Sequence, residues 1–287
     1  MKFIKDNLKR VRTIELLIAL SSSLVGCQSE LLDESDAQEV AELIIDLKTD
    51  DRANTRTIDI SQVDGLALVK VTITNDKHQD MVMCTDGNYG NITFRVPLGV
   101  YDIDALATDA SDYELDDNYI ALPNGGNIWH ARIREYVTKT GKETLVPIQL
   151  KRMNSKVVVT PLDEIPENCK SIAVTLTYGG DTMSARGGIV SQNKVLTKTV
   201  EVPETYKGTV GRLSIGLYTL LEKVVSTVTI DIKAMDNEDN IIGQVDNYDV
   251  VLRRNQQAYV KGYLFTTKVN SGITIDYDWG DLLEYQW

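Results

Sequence analysis

The sequence predicts an all-β protein of two tandem sandwiches after a short N-terminal leader, and three observations carry that expectation. Short runs of alternating apolar and polar residues recur from about residue 66 to 266. Turn-forming clusters such as Pro97-Leu98-Gly99, Pro123-Asn124-Gly125-Gly126 and Lys139-Thr140-Gly141 separate them. No long stretch in this region carries a convincing helical period. Many short strands at regular spacing, with turn residues between them, are the pattern of sandwich folds.

The chain opens on a basic stretch (Lys2, Lys5, Lys9, Arg10, Arg12), followed by an apolar run from Leu16 to Val25. A run of about ten residues is too short to cross a bilayer as a helix, which takes about 20. Leu24-Val25-Gly26-Cys27 closes it and resembles the lipobox of bacterial lipoproteins. That resemblance implies a signal peptide over 1–26, cleavage before Cys27, and acylation (palmitate among the chains) of Cys27. A single acyl chain holds a protein only marginally at a membrane, so several chains are needed for a durable anchor. Residues 27–39 are polar and acidic and read as a solvated tether.

Residues 40–48 fit two templates. Val40, Leu43, Ile44 and Leu47 make a helical stripe, whereas Ala41, Leu43, Ile45 and Leu47 make one face of a strand. Periodicity leaves both open. The polar stretch that follows carries Arg52 and Arg56 and reads as an exposed loop. Leu66 to Thr74 then places Ala67, Val69, Val71 and Ile73 on one face, with Lys70, Thr72 and Thr74 opposite. Strand-like runs follow at 91–96, 100–107, 119–122, 128–136 and 145–150. The first sandwich is assigned to 40–150 and the second to 151–287, where Val157-Val158-Val159 opens a new strand set. Within the second, runs at 157–160, 172–178, 195–202 and 213–219 precede a long hairpin, 224–235 with 241–252, across Asp236 to Asn240. Residues 258–266 are expected to pair back across Arg253-Arg254-Asn255. In the last stretch, 272–287, Ile273, Ile275, Tyr277 and Trp279 alternate with Thr274, Asp276 and Asp278. That pattern suits a donor strand, or equally the last strand of its own sandwich.

The formal charge is −12, and −15 without residues 1–26. So acidic a chain repels nucleic acid, which is excluded as a partner. Cys84 and Cys169 fall in different strand sets, and their state is left open between buried thiols and a disulfide. Catalytic patterns are absent: there is no GxSxG, HExxH or glycine-rich phosphate loop. His78 is expected in a solvated turn, and His130 on the face opposite Trp129. Asp236 to Asn240 lacks the glycine and glutamate of a calcium loop, Ile241 and Asn247 standing in those places. No enzyme activity, cofactor or metal is expected.

The order of these features resembles the fimbrillin-type pilus subunits of anaerobic Gram-negative bacteria. The segments that carry the resemblance are the lipobox, the apolar segment 41–47, the arginine-bearing loop and Leu66-Ala67-Leu68-Val69-Lys70-Val71-Thr72-Ile73-Thr74. Phe94-Arg95-Val96-Pro97-Leu98-Gly99-Val100-Tyr101 and Leu150-Lys151-Arg152-Met153-Asn154-Ser155-Lys156-Val157-Val158-Val159 follow in order. Leu252-Arg253-Arg254-Asn255 with Tyr259-Val260-Lys261-Gly262-Tyr263-Leu264 is the most specific match. The resemblance implies transthyretin-like sandwiches, strand exchange with other fimbrial subunits, and a surface location on the outer membrane with an unidentified adhesion ligand. It also implies proteolytic processing after Arg52 or Arg56, which read without it are plain loop arginines. Stalk, anchor and tip roles stay open. The alternative is a surface glycan-binding lipoprotein; sugars stack on exposed aromatic rings, yet no strand of this sequence carries a row of them.

The lipobox generates a direct test. Cells fed a clickable fatty acid are expected to label the wild-type chain and not Cys27→Ser; equal labelling of both removes the anchor.

Overall fold

The structure, a computed structural model, describes residues 39–50, 57–85, 87, 89–138, 141–186, 188, 190–191, 194–266 and 274–278. Its first strand, β1 (Val40–Asp50), resolves the ambiguity at 40–48 in favour of extended chain. The first half continues with β2 (Thr57–Asp59), β3 (Leu68–Thr74), β4 (Gln79–Cys84), β5 (Ile92–Pro97) and β6 (Gly99–Thr108). It closes with β7 (Glu114–Leu115), β8 (Tyr119–Ala121), β9 (Ile128–Val137), β10 (Glu143–Gln149) and β11 (Lys151–Arg152). The second half holds β12 (Asn154–Pro161), β13 (Cys169–Gly179), β14 (Thr182–Ser184), β15 (Val190–Ser191) and β16 (Lys194–Glu201). The remaining strands are β17 (Ile215–Leu220), β18 (Val225–Asp236), β19 (Ile241–Arg253), β20 (Gln257–Gly262) and β21 (Thr274–Asp278). Helix among the described residues is confined to two short 3-10 turns.

In the first half, β1 joins β10, β2 and β5 in one sheet, and β11-β9-β6-β3-β4 forms the other. Alternation sends Leu43, Ile45, Phe94 and Ile148 inward from one sheet and Val71, Ile73, Tyr101 and Trp129 from its partner, making one core. Tyr101 is fully buried and satisfies its hydroxyl by donating to the Pro97 carbonyl at 2.9 Å; burial pushes its pKa up. The second half repeats the plan. Sheets β17-β12-β20-β21 and β16-β13-β18-β19 enclose a second core built on Val157, Val159, Ile172, Val174, Ile230 and Val260. β18 and β19 form the long hairpin, and the Asp236 carboxylate accepts the backbone N–H groups of Glu238 and Asn240 within its turn. Those bonds, the Asn240 N–H first, hold its carboxyl below the usual range.

One expected pairing is corrected. Residues 258–266 do not return onto β19. Instead β20 runs parallel to β12 and antiparallel to β21, in the opposite sheet. The cause is the turn. Asn255 adopts a left-handed φ of 60°, and Arg254 is tied down by donating to the carbonyls of Leu221 and Glu222 at 2.9 and 2.6 Å. The chain therefore crosses the sandwich instead of folding flat.

The two halves are welded. Strands β7 and β8 of the first and β14 and β15 of the second make a composite sheet. Beneath it lies a third core, with Leu68, Leu106, Ile120 and Ile128 meeting Met153, Met183, Val190 and Leu220. At the crossing, Arg152 lies 5.2 Å from the centre of the Trp129 ring and donates to the Asn255 side chain at 3.1 Å. The Asn154 side chain accepts the Ile128 N–H at 3.0 Å.

This cover explains a departure from the strand pattern. The polar face of β3 does not meet solvent: Lys70 is only 5 % exposed and Thr72 only 4 %. Burial pushes the Lys70 ammonium below its usual pKa, against the opposing pull of Asp117. The folded state therefore binds fewer protons at this site than the unfolded chain does. Its stability is expected to rise with pH from the lowered folded value up to about 10.5, the unfolded reference. Lys70→Met is expected to flatten that slope in denaturant titrations between pH 8 and 10.5. An unchanged slope would place the titrating group elsewhere.

Candidate assembly site around the first strand

β1 is bonded along both edges. Its Glu42–Lys48 segment runs parallel to Glu143–Gln149 of β10. On its other edge, Val40–Ile45 is antiparallel to Ile92–Pro97 of β5, and Lys48–Asp50 to β2. Further bonds fasten its ends: Gly141 N–H donates to the Val40 carbonyl at 2.9 Å, and Leu150 N–H to the Lys48 carbonyl at 2.7 Å. The inward side chains of Ala41, Leu43, Ile45 and Leu47 are all buried. Burial of each of the three larger ones is worth about 1.5–3 kcal/mol. The opposite face carries Glu42, exposed, with Asp46 and Lys48, which pair at 3.0 Å. Removing this strand would open a slot between β10 and β5 with two unpaired backbone edges.

Arg52 and Arg56 lie outside the described residues, in the segment that links β1 to β2. Cys27, Ile273 and Trp279 also lie outside them. Ile275 and Tyr277 belong to β21, at the edge of the second half, opposite Val260 and Ala258 of β20. The chain leaves β20 through a fixed point that sequence reading missed. The buried Asp163 carboxylate accepts the backbone N–H groups of Leu264, Phe265 and Thr266 at 3.0, 2.6 and 3.0 Å. No local pattern announces a carboxylate that caps a segment about 100 residues away.

The other candidates sort by burial. Trp129 enters the first core and His130 points to the opposite face, where Nε2 lies 3.5 Å from Oδ1 of the buried Asp104. His78 departs from expectation: it is half-buried, its ring edge-on to Tyr101 at 6.1 Å. Cys169 is buried and free, so it is not bridged to Cys84, and burial pushes its thiol pKa up. Among the described residues, no group of three His, Cys, Asp or Glu side chains is placed to hold a metal ion.

This architecture of paired β-sandwiches has counterparts among solved structures. It is similar in fold to a candidate adhesin of Bacteroides ovatus, with 12 % identity and a TM-score of 0.51, covering 85 % of this chain and 96 % of that one. It is also similar to a candidate polysaccharide-binding protein of Bacteroides thetaiotaomicron (DUF1812), at 11 % identity and TM-score 0.57, covering 85 % and 99 %. A second candidate adhesin of Bacteroides thetaiotaomicron gives 9 % identity and TM-score 0.54 over 86 % and 100 %. At these identities the likeness establishes the architecture, which is the fold the resemblance to fimbrillin-type proteins implied. Residues 132–284 match the model of a family of unknown function, DUF6562, and the chain belongs to that family. No curated protein matches it.

If β1 closes the first sandwich, its inward side chains must carry much of the stability. Ile45→Ala is expected to cost about 2–5 kcal/mol. Glu42→Ala, on the exposed side, is expected to change stability by about 0.5 kcal/mol or less. Urea titration of the two variants measures the difference; equal effects would mean that β1 is dispensable to the core.

Proposed function

We propose that this protein is a cell-surface fimbrial or adhesin subunit, tethered through a lipid on Cys27 and assembled by exchange of β-strands. The observation that carries the reading is the placement of β1. It is an interior strand of its sheet, yet it is the first strand of the described residues, with only the segment 51–56 between it and β2. A trypsin-like cut after Arg52 or Arg56 leaves β1 held by non-covalent bonds alone. A strand that departs exposes an edge-lined apolar slot, and strand addition supplies main-chain bonds for affinity and side-chain pockets for register.

The C-terminal stretch suits the donor role in its alternation. Ile273, Ile275, Tyr277 and Trp279 match in number the inward Ala41, Leu43, Ile45 and Leu47. Overfilling a packed site costs about 1–3 kcal/mol, so the larger Tyr277 and Trp279 belong at an open end of the slot. β21 is held along one edge, by β20, and can leave without breaking a central pairing. Net bonds of about 1 kcal/mol each work against an ordering cost of about 1–2 kcal/mol per residue. The buried apolar face therefore decides whether exchange holds. Neighbours described as adhesins share the architecture, which supports a surface role.

Polymerisation tests the whole scheme. Wild-type chain treated with trypsin under native conditions is expected to be cut first at Arg52 or Arg56 and then to form high-mass polymers that resist detergent. The double variant Arg52→Ala/Arg56→Ala should remain monomeric. Polymers of the uncut double variant would overturn strand exchange at this slot, and first cuts at Arg186 would overturn exposure of the 51–56 segment.

A further inference from the structure

The two sandwiches share one strand plan and differ at one edge. In the first, β1 lies between β10, parallel to it, and β5, antiparallel to it. In the second, β12 lies between parallel β20 and antiparallel β17. The facing sheets agree as well, β9-β6-β3-β4 matching β19-β18-β13-β16. β10 is thus the counterpart of β20. Yet β20 carries β21 on its outer edge, whereas among the described residues β10 pairs with β1 alone. By the same plan, the outer edge of β10 is the place for the C-terminal strand of a second copy.

Hydrogen bonds fix the match residue by residue. Glu42 N–H donates to the Lys142 carbonyl at 3.3 Å, as Lys156 N–H donates to the Gln256 carbonyl at 3.2 Å. At the far end Leu150 N–H donates to the Lys48 carbonyl at 2.7 Å, as Leu162 N–H does to that of Gly262 at 2.7 Å. Backbone groups alternate sides along a strand. Thr144, Val146 and Ile148 therefore turn theirs to β1, and Glu143, Leu145 and Pro147 turn theirs to the outer edge. The counterparts of these last three are Gln257, Tyr259 and Lys261, which face Asp278, Asp276 and Thr274 of β21.

Two residues make the β10 edge unlike the β20 edge. Pro147 stands exposed where β20 has Lys261; it has no N–H to donate, and its ring takes up the space of an incoming strand. Glu143, also exposed, stands where β20 has Gln257, so the register of β21 would set it opposite Asp278. Like charges directly opposite each other destabilise a strand pair. Between them Leu145 is 62 % exposed, an apolar side chain that a covering strand would bury. We infer that Pro147 and Glu143 close the outer edge of β10 to the C-terminal strand of a second copy. Uncut chains are thereby kept from joining through this edge before β1 is released. The purpose of the guard rests on the strand-exchange reading; the guard itself does not, because it acts while β1 is in place.

Fluorescence anisotropy of a labelled synthetic peptide of residues 271–280, titrated with the uncut full chain, tests the assignment. The double variant Pro147→Thr/Glu143→Lys is expected to bind the peptide at least about tenfold more tightly than the wild type. Hydrogen exchange should then slow over the segment 143–147. Glu143→Lys alone should show a smaller gain that added salt removes. That single variant decides the matter if a lowered thermal midpoint shows that Pro147→Thr disturbs the fold. Equal affinity of the wild type and the variants overturns the proposal, as does protection that appears at β20 or β5 in place of β10. Polymerisation of cut chain plays no part in these measurements, so their failure would leave exchange at the β1 slot untouched.

Discussion

The first sandwich depends on one requirement, that the backbone edges of β10 and β5 be paired. Residues 98–142 separate these strands along the chain, and neither is paired with the other. Only β1 fits between them, parallel to one and antiparallel to the other. An unpaired buried N–H or C=O costs on the order of 1–3 kcal/mol, so a sheet missing its middle strand has a strong tendency to recruit another. The bonds that hold β1 thus also define the shape that any other strand in the same place would have to match. Under the proposed strand exchange, folding and assembly would draw on one set of hydrogen-bond donors and acceptors.

The second constraint is the weld between the halves. A composite sheet, a third apolar core and the Arg152–Trp129–Asn255 junction link strands from both sides of the crossing at residues 152–154. Burying Lys70 and Asp104 beneath that cover is unfavourable in itself. The apolar contacts of Leu68, Leu106 and Ile128 with Met183 and Leu220 offset it. Two sandwiches that resemble separate domains along the sequence are therefore joined through shared secondary structure, not through a linker.

Local features were legible in the sequence. Alternation identified the β18–β19 hairpin and its turn, and placed Trp129 and His130 on opposite faces, because period and turn chemistry are encoded within a few residues. Non-local features were not. The parallel pairings of β1 with β10 and of β12 with β20 leave no trace in either partner alone. Nor did the burial of Lys70, which depends on a sheet contributed by the other half. Of the candidate assembly residues, Ala41 to Leu47 could be read as a strand face, but their interior position in the sheet could not.

The direction of β1 has a mechanical consequence. Among the described residues β1 comes first, and it runs alongside β10 with its bonds spread over Glu42 to Lys48. A pull on the N-terminal side acts along the strand axis, so the flanking bonds are loaded together in shear. They cannot peel open one at a time, as they would under a pull across the sheet. An intact chain pulled from the residue-39 end should resist extension in a single high-force event at β1. A chain cut after this strand would carry load only through whatever strand fills the slot.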